Sequence, residues 1–158
     1  MSSSEAALLR EALAGAERLA QRVGMSLSRV STLLPISADR LESVSVEEDE
    51  RLVAFLKRVE QLIVLVQDQI FTGIAVLSDV KAKLESRRDY AELMEKIGAV
   101  ASAGTWRLAN RLRNRLAHVY PVASERQAAV LNETFALAPE LVRDVERLSA
   151  VAGRLGLG

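Results

Sequence analysis

The hydrophobic positions of this chain recur mostly at three- and four-residue intervals, and this spacing is typical of amphipathic α-helices. The pattern predicts a first helix over residues 5–23, ended by Gly24, and a short helix over residues 26–34 before Pro35. The next segment, residues 36–46, is mostly polar, so we interpret it as a connection with room for one helical turn.

A long helical pattern covers residues 47–84 and begins after a capping box, in which Ser45 is followed three residues later by Glu48. Beyond Leu62 the pattern is apolar on more than one side, and a helix of this kind is buried between neighbours. One face of this helix is a candidate contact with a second copy of the chain. Gly73 indicates a kink or a close contact with another helix.

Three more helices are predicted over residues 86–98, 106–118 and 124–154, and Ser86 and Ser124 have positions suited to N-caps. No window alternates with the period of two that indicates a β-strand. The sequence therefore predicts an all-α fold, an up-and-down helical bundle of four main helices plus short helices. A single domain accounts for the whole chain of 158 residues.

The composition agrees with this fold class and limits the possible chemistry. Hydrophobic residues make up 49% of the chain and aromatic residues 4%, which favours helices over turn-rich folds. The 21 basic residues balance the 21 acidic ones, so a polyanion would have to be bound by a local patch. With no Cys and one His, the chain is expected to hold no disulfide, no metal ion and no cofactor.

We expect neither a leader segment nor a membrane span. The N-terminus lacks a basic region followed by an apolar run. The most apolar stretch, residues 62–77, is interrupted by Gln67, Asp68, Gln69 and Thr72, so we interpret it as too short and too polar for a span. A cytoplasmic location is the resulting expectation.

The main concentration of candidate catalytic groups lies near the end of the predicted helix over residues 106–118. Four arginines and no acidic residue occupy residues 107–115, and the only histidine, His118, follows them. Two polar stripes recur every four residues: Arg107, Arg111 and Arg115 form one, and Asn110, Asn114 and His118 form the other. Arg113 lies about 140° around an ideal helix from His118. The side chains of Arg113 and His118 converge only if the end of the helix unwinds, or if a second copy of the chain, related by a two-fold axis, places its own motif opposite this one.

These residue types suit the cleavage of RNA. The 2′-hydroxyl of an RNA strand is its own nucleophile, so one imidazole, that of His118, suffices to take or give the proton. The guanidinium of Arg113 would stabilise charge on the phosphate oxygens, and the arginine stripe would bind RNA. Asn114 would orient the phosphate or the imidazole, and Tyr120 would donate a hydrogen bond.

A purely structural interpretation of the same residues stays open. Basic side chains near the C-terminal end of a helix are favourable to the helix dipole, and arginine stripes commonly pair with acidic side chains. We interpret Arg87 and Arg88 in a similar way, as a solvated helix start and not as a phosphate site. Trp106 is interpreted as an anchor in the core or in an interface.

The sequence Arg113-Asn114-x-x-x-His118-x-Tyr120 resembles the signature of HEPN domains, in particular the HepT-like toxins of toxin–antitoxin modules. The similarity covers about residues 59–148. The resemblance implies an up-and-down helical bundle whose homodimer brings two motif helices together across a cleft. It also implies a metal-independent endoribonuclease in which Arg113 and His118 are essential and Asn114 is a supporting polar group.

The resemblance further implies a partner, a minimal nucleotidyltransferase antitoxin that transfers AMP from ATP to the motif tyrosine, here Tyr120. A bulky anionic group at this position would keep RNA out of the cleft. Residues 1–46 match less clearly and are interpreted as an N-terminal elaboration of the HEPN-like domain. Two alternatives stay open: a catalytically inactive helical module that binds a nucleotidyltransferase, and a structural helical protein whose arginines pair with its own acids.

Overall fold

The computed structural model describes residues 1–117 and 123–158, and these residues form an all-α protein. The helices are α1 (Ser3–Val30), α2 (Ala38–Leu41), α3 (Val46–Leu65), α4 (Phe71–Leu77), α5 (Arg87–Lys96), α6 (Ala103–Leu116) and α7 (Ser124–Arg154). A π-helical segment, Val66–Ile70, joins α3 to α4. The described part of the chain contains no β-strand, so the predicted fold class is confirmed.

Capping boxes fix the starts of three helices. Ser45 and Ser86 form the predicted capping boxes at α3 and α5, and Ser2 forms another at α1. The prediction that Ser124 caps the last helix is wrong. Ala123 occupies the N-cap of α7 without a side-chain cap, and Ser124 is the first residue of the helix, where its hydroxyl donates to Glu42 Oε1 at 3.0 Å.

The structure also corrects two helix ends. The α1 helix continues through Gly24 to Val30, so the predicted short helix over residues 26–34 is mostly its last turn. Val23, Ser26 and Val30 are buried along this stretch, and this burial outweighs the cost of one helical glycine, about 1 kcal/mol. The long central helix ends at Leu77 and not at residue 84, and Asp79 follows in the left-handed region with φ 51°.

The core lies where the long helices meet. The α1 helix packs against α3 and α7, and α6 packs against α3, α5 and α7. Trp106, Phe55 and Phe71 are among the largest fully buried side chains. These contacts describe a compact set of packed helices, and the up-and-down order of the bundle stays a prediction.

One helical stretch of the described residues, Val46–Leu77, is long and apolar enough to cross a membrane. When α3 is counted with the stretch that follows it, the polar residues Gln67 and Asp68 do not exclude a membrane span on grounds of length and composition. Half of the most apolar 18-residue window is buried inside the protein, and the core helix of a globular domain passes the same test.

Gly73 lies at a close contact between α4 and α1, as the sequence suggested. A Cβ atom built at Gly73 would lie 2.7 Å from Leu9 Cδ1, whereas a Cβ atom at Gly24 would meet nothing within 4 Å. Leu9 is 3% exposed, so neighbouring core side chains restrict its movement.

The two glycines therefore form a matched pair for a stability measurement. We expect Gly24→Ala to raise the free energy of unfolding by about 1 kcal/mol, because alanine favours the helix. We expect Gly73→Ala to lower it by about 1 kcal/mol, because the added methyl group overpacks the contact with Leu9. Urea denaturation of both variants measures the difference, and an equal stabilisation by both would contradict the described packing.

Candidate functional site

The start of α6 is anchored to α7 by a buried carboxylate. Asp144 is 1% exposed. Its Oδ2 accepts a hydrogen bond from Trp106 Nε1 at 2.8 Å, and its Oδ1 accepts from the backbone N–H of Ala101 at 3.1 Å. Arg147 pairs with the same carboxylate at 2.7 Å, which balances its charge. Trp106 is therefore an anchor in the core, which is one of the two roles predicted for it from the sequence.

Arg113, in the last turn of α6, is held by two side chains of the π-helical segment. Its Nη1 and Nη2 donate to the two carboxylate oxygens of Asp68 at 2.9 and 2.8 Å, which is the bidentate geometry of a strong arginine–carboxylate pair. Nη1 also donates to Gln67 Oε1 at 3.3 Å. The Arg113 side chain is 18% exposed, so these contacts restrict a largely covered group.

Gln67 connects Arg113 to the start of α6. It is 4% exposed, and its Nε2 donates to the backbone carbonyl of Trp106 at 3.4 Å. Trp106 and Arg113 lie about two turns apart on α6, so one π-helical turn contacts that helix at both points. Single π-helical turns within α-helices occur frequently at functional sites.

The hydrogen-bond inventory of Arg113 leaves one edge of the guanidinium without a partner among the described residues. Its five N–H groups comprise one at Nε and two at each Nη. Asp68 takes one hydrogen from each Nη, and Gln67 takes the second from Nη1. The Nε–H and the remaining Nη2–H point the same way, and this pair of donors matches two oxygens of a phosphate.

The charges around Arg113 favour its ionised pair with Asp68. Hydrogen bonds from Arg113 lower the pKa of Asp68, and the charges of Arg113 and Arg87 act in the same direction against the effect of partial burial. Arg87 Nη2 lies 3.4 Å from Asp68 Oδ1. The hydrogen bond to Asp68 raises the pKa of Arg113. Both partners therefore stay charged at neutral pH.

The predicted arginine stripe divides between two sides of α6. Arg107 and Arg111 are exposed and line a cleft between α5 and α6. Arg115 forms an ion pair with Glu133 of α7. Residues four apart on a helix rotate by about 40° relative to each other, so the ends of a three-residue stripe reach different neighbours.

The remaining predicted residues have separate outcomes. Asn114 is exposed on the last turn of α6, and its side chain has no hydrogen-bond partner in residues 1–117 and 123–158. His118 and Tyr120 lie outside the described residues, so their predicted roles stay predictions. The described contacts of Arg113 are with Gln67 and Asp68. From the sequence alone, these two residues are interpreted only as interruptions of an apolar run.

Asp68 and Gln67 could have been recognised from one signal in the sequence. A run of three polar side chains, from Gln67 to Gln69, in the middle of a helix that is otherwise apolar on most sides places at least one of them against the core. That side chain needs a partner within the fold, because burying it without a hydrogen bond is costly. The sequence does not show which residue supplies this partner. Arg113 lies 45 residues away from Asp68 along the chain.

Comparisons with protein-family models, with curated proteins and with solved structures found no match for this chain. The resemblance to HEPN domains therefore stays a prediction from the sequence motif between Arg113 and Tyr120.

The ion pair predicts a pH-dependent contribution to stability. The pKa of Asp68 is lowered on folding, so its charge stabilises the fold above the ordinary carboxyl pKa of about 4, and this effect is lost as pH falls through the lowered pKa. We expect Asp68→Asn to reduce the free energy of unfolding by about 1 kcal/mol at pH 7, a value limited by solvent screening of the partly exposed carboxylate.

Urea denaturation at pH 7 and at pH 3 checks this expectation, and the difference between wild type and Asp68→Asn should shrink at the lower pH. Glu92→Gln is the matched control, because Glu92 forms an exposed pair with Arg88 one turn away on α5. Its effect should stay below about 0.5 kcal/mol. A constant difference between wild type and Asp68→Asn at both pH values would contradict the assignment.

Proposed function

We propose that this chain is a HEPN-type, metal-independent endoribonuclease, the toxin of a toxin–antitoxin module. The observation that supports this most is the arrangement of Arg113. Asp68 and Gln67 hold its guanidinium in place, and two parallel N–H donors remain without a partner among the described residues. In this proposal the protein acts in the cytoplasm as a homodimer, takes RNA as its substrate and needs no cofactor.

The proposed reaction is a transesterification within the RNA strand. The 2′-hydroxyl oxygen attacks the adjacent phosphorus, and the bond from phosphorus to the 5′-oxygen of the next nucleotide breaks. One His118 imidazole takes the proton from the 2′-hydroxyl, and a protonated imidazole, supplied by the second protomer, gives a proton to the leaving oxygen. The products are a 2′,3′-cyclic phosphate and a 5′-hydroxyl, so the reaction consumes no water.

Arg113 would act on the phosphate oxygens as charge develops on them. Its Nε–H and second Nη2–H donate to two of these oxygens, and the pair with Asp68 keeps the guanidinium oriented before the reaction begins. Lysine could not replace it, because one ammonium group cannot pair with Asp68 through two parallel bonds and also present a flat donor edge. Asn114 would add a hydrogen bond to the phosphate or the imidazole.

The ion pair between Arg115 and Glu133 supports a structural role for this member of the arginine stripe. Arg107 and Arg111 have no ion pair among the residues that the structure describes, and they remain the better candidates for contact with RNA.

We expect purified wild-type protein to cleave a mixed pool of single-stranded RNA in the presence of EDTA. Arg113→Lys and His118→Ala should each reduce the rate by about 100-fold or more, because each removes a group that acts in the transition state. Gel analysis of the products with an assay for the cyclic phosphate measures both the rate and the chemistry. Arg22→Gln, an exposed change on α1, is the control and should cleave at the wild-type rate.

The result that would overturn the proposal is equal cleavage by wild type and by His118→Ala, which would indicate a contaminating nuclease. Absence of cleavage by wild type, after intact mass has shown Tyr120 to be unmodified, would favour the second candidate function. In that case the chain is an inactive helical module that binds a nucleotidyltransferase. That alternative predicts tight partner binding that His118→Ala does not change.

The proposed silencing of the enzyme gives a separate expectation. Incubation with ATP and the cognate minimal nucleotidyltransferase should add AMP to wild-type protein and abolish cleavage, because the added group brings negative charge and bulk to the site. Tyr120→Phe should gain no AMP, and intact-mass spectrometry measures the difference. A Tyr120→Phe protein that still gained AMP would show that another residue is modified.

A further inference from the structure

The cleft between α5 and α6 is lined by arginines from both helices. Arg87 and Arg88 come from the first turn of α5, and Arg107 and Arg111 come from successive turns of α6. The other described lining residues are Ala91, Trp106 and Asn110, and none of these seven is acidic. Four guanidinium groups that face one cleft repel each other and create a local positive potential in a chain of zero net charge.

The position of Arg87 and Arg88 increases this positive potential. They are the first two residues of α5, where the helix dipole is itself positive and cations are unfavourable. Arg87 is partly balanced by Asp68 at 3.4 Å and Arg88 by Glu92 at 3.0 Å, and both arginines are exposed. An anionic ligand bound at this helix start would be attracted by the helix dipole and by both arginines.

Asn110 adds a neutral polar group to the same wall. Its Oδ1 is buried and has no hydrogen-bond partner within the described part of the chain. An amide kept for the stability of the fold would have its partners, because an unsatisfied buried oxygen is costly. Because this oxygen is also covered from solvent, a ligand forms a hydrogen bond with the Asn110 amide only after the side chain turns towards the cleft that Asn110 lines.

The cleft leads towards the proposed catalytic arginine. Arg87, Arg88 and Asn110 also line an adjoining opening, whose other wall includes Gln67 and Asp68. Asp68 is the residue that holds Arg113. Arg113 itself lines neither opening, so a strand with one phosphate at Arg113 would pass Asp68, Glu85 and the arginines of α5 before it reaches the cleft.

We propose that the α5–α6 cleft is a subsite for single-stranded RNA, which binds a nucleotide that flanks the cleaved phosphodiester. The arginines on its two walls bind the phosphate of that nucleotide, and the Asn110 amide bonds to its sugar or base. This proposal replaces the interpretation of Arg87 and Arg88, drawn from the sequence, as a solvated helix start. A duplex presents its phosphates on a convex surface and would reach only the rim of a cleft between two helices. This inference rests on the proposed ribonuclease function, which it deepens by naming the substrate class.

The test compares two double variants that remove the same number of charges. Arg87→Gln/Arg88→Gln changes the cleft, and Arg18→Gln/Arg22→Gln changes two exposed arginines one turn apart on α1. Both are made in His118→Ala protein, so that the probe stays intact. The measurement is fluorescence anisotropy of a labelled single-stranded RNA oligonucleotide over a range of salt concentrations.

We expect the cleft variant to bind this RNA at least about tenfold more weakly than its parent, and the control to bind like the parent. The slope of the logarithm of affinity against the logarithm of salt concentration should fall by at most about 0.7, because the cleft arginines share one phosphate and each phosphate contact with a single strand contributes about 0.7. Equal affinity of the cleft variant and the control would overturn the inference. Binding of an RNA duplex as tightly as the single strand would overturn it as well.

Asn110→Leu separates a binding role from a structural one. We expect this variant to unfold at the same temperature as wild type or higher, because the orphaned oxygen is removed, and to bind the single-stranded RNA several-fold more weakly. A lower unfolding temperature with unchanged RNA affinity would show that the amide serves the fold and would contradict its assignment to the subsite.

The inference and the proposed function can fail separately. If wild type cleaves RNA and Arg87→Gln/Arg88→Gln has an unchanged kcat/KM, the subsite is refuted and the ribonuclease function is retained. If wild type binds RNA through the cleft but does not cleave it, the ribonuclease function is refuted and the subsite is retained. Absence of RNA binding by the parent protein would overturn both.

Discussion

The bidentate ion pair between Arg113 and Asp68 is the interaction on which the candidate site depends. It joins the last turn of α6 to the π-helical segment of the central helix, and Gln67 adds a second contact between the same elements. The other end of α6 is fixed through Trp106 and the buried Asp144. Since both ends of α6 are held, the exposed Arg107 and Arg111 are presented to solvent from a fixed support, and such support favours phosphate recognition.

Charge is distributed unevenly over this neutral chain. Most of the ion pairs described join exposed partners and contribute little to stability. By contrast, the α5–α6 cleft gathers four arginines and an amide oxygen that has no partner in the described chain. Local features that oppose stability are typical of binding sites, and here they lie next to the guanidinium proposed to act on phosphate.

The sequence was sufficient for the fold class and for most helix positions, because periodicity and capping are local properties. It was insufficient where long-range packing decides. The α1 helix passes through Gly24 because a buried stripe continues beyond it, and Ser124 donates a hydrogen bond to the distant Glu42 and does not cap α7. The pairing of Asp68 with Arg113 and the facing arginines of α5 and α6 depend on tertiary contacts that no single motif encodes.

The most direct test of the central claim is a nuclear magnetic resonance spectrum of the protein labelled with nitrogen-15 at arginine. The Arg113→Lys spectrum assigns the Nε–H signal of Arg113, and an uncleavable 2′-deoxy oligonucleotide replaces RNA. The account predicts that this signal shifts on titration, because the Nε–H and Nη2–H edge receives a phosphate while Asp68 keeps the opposite edge. A signal that stays unchanged while the oligonucleotide binds would show that Arg113 serves only the fold.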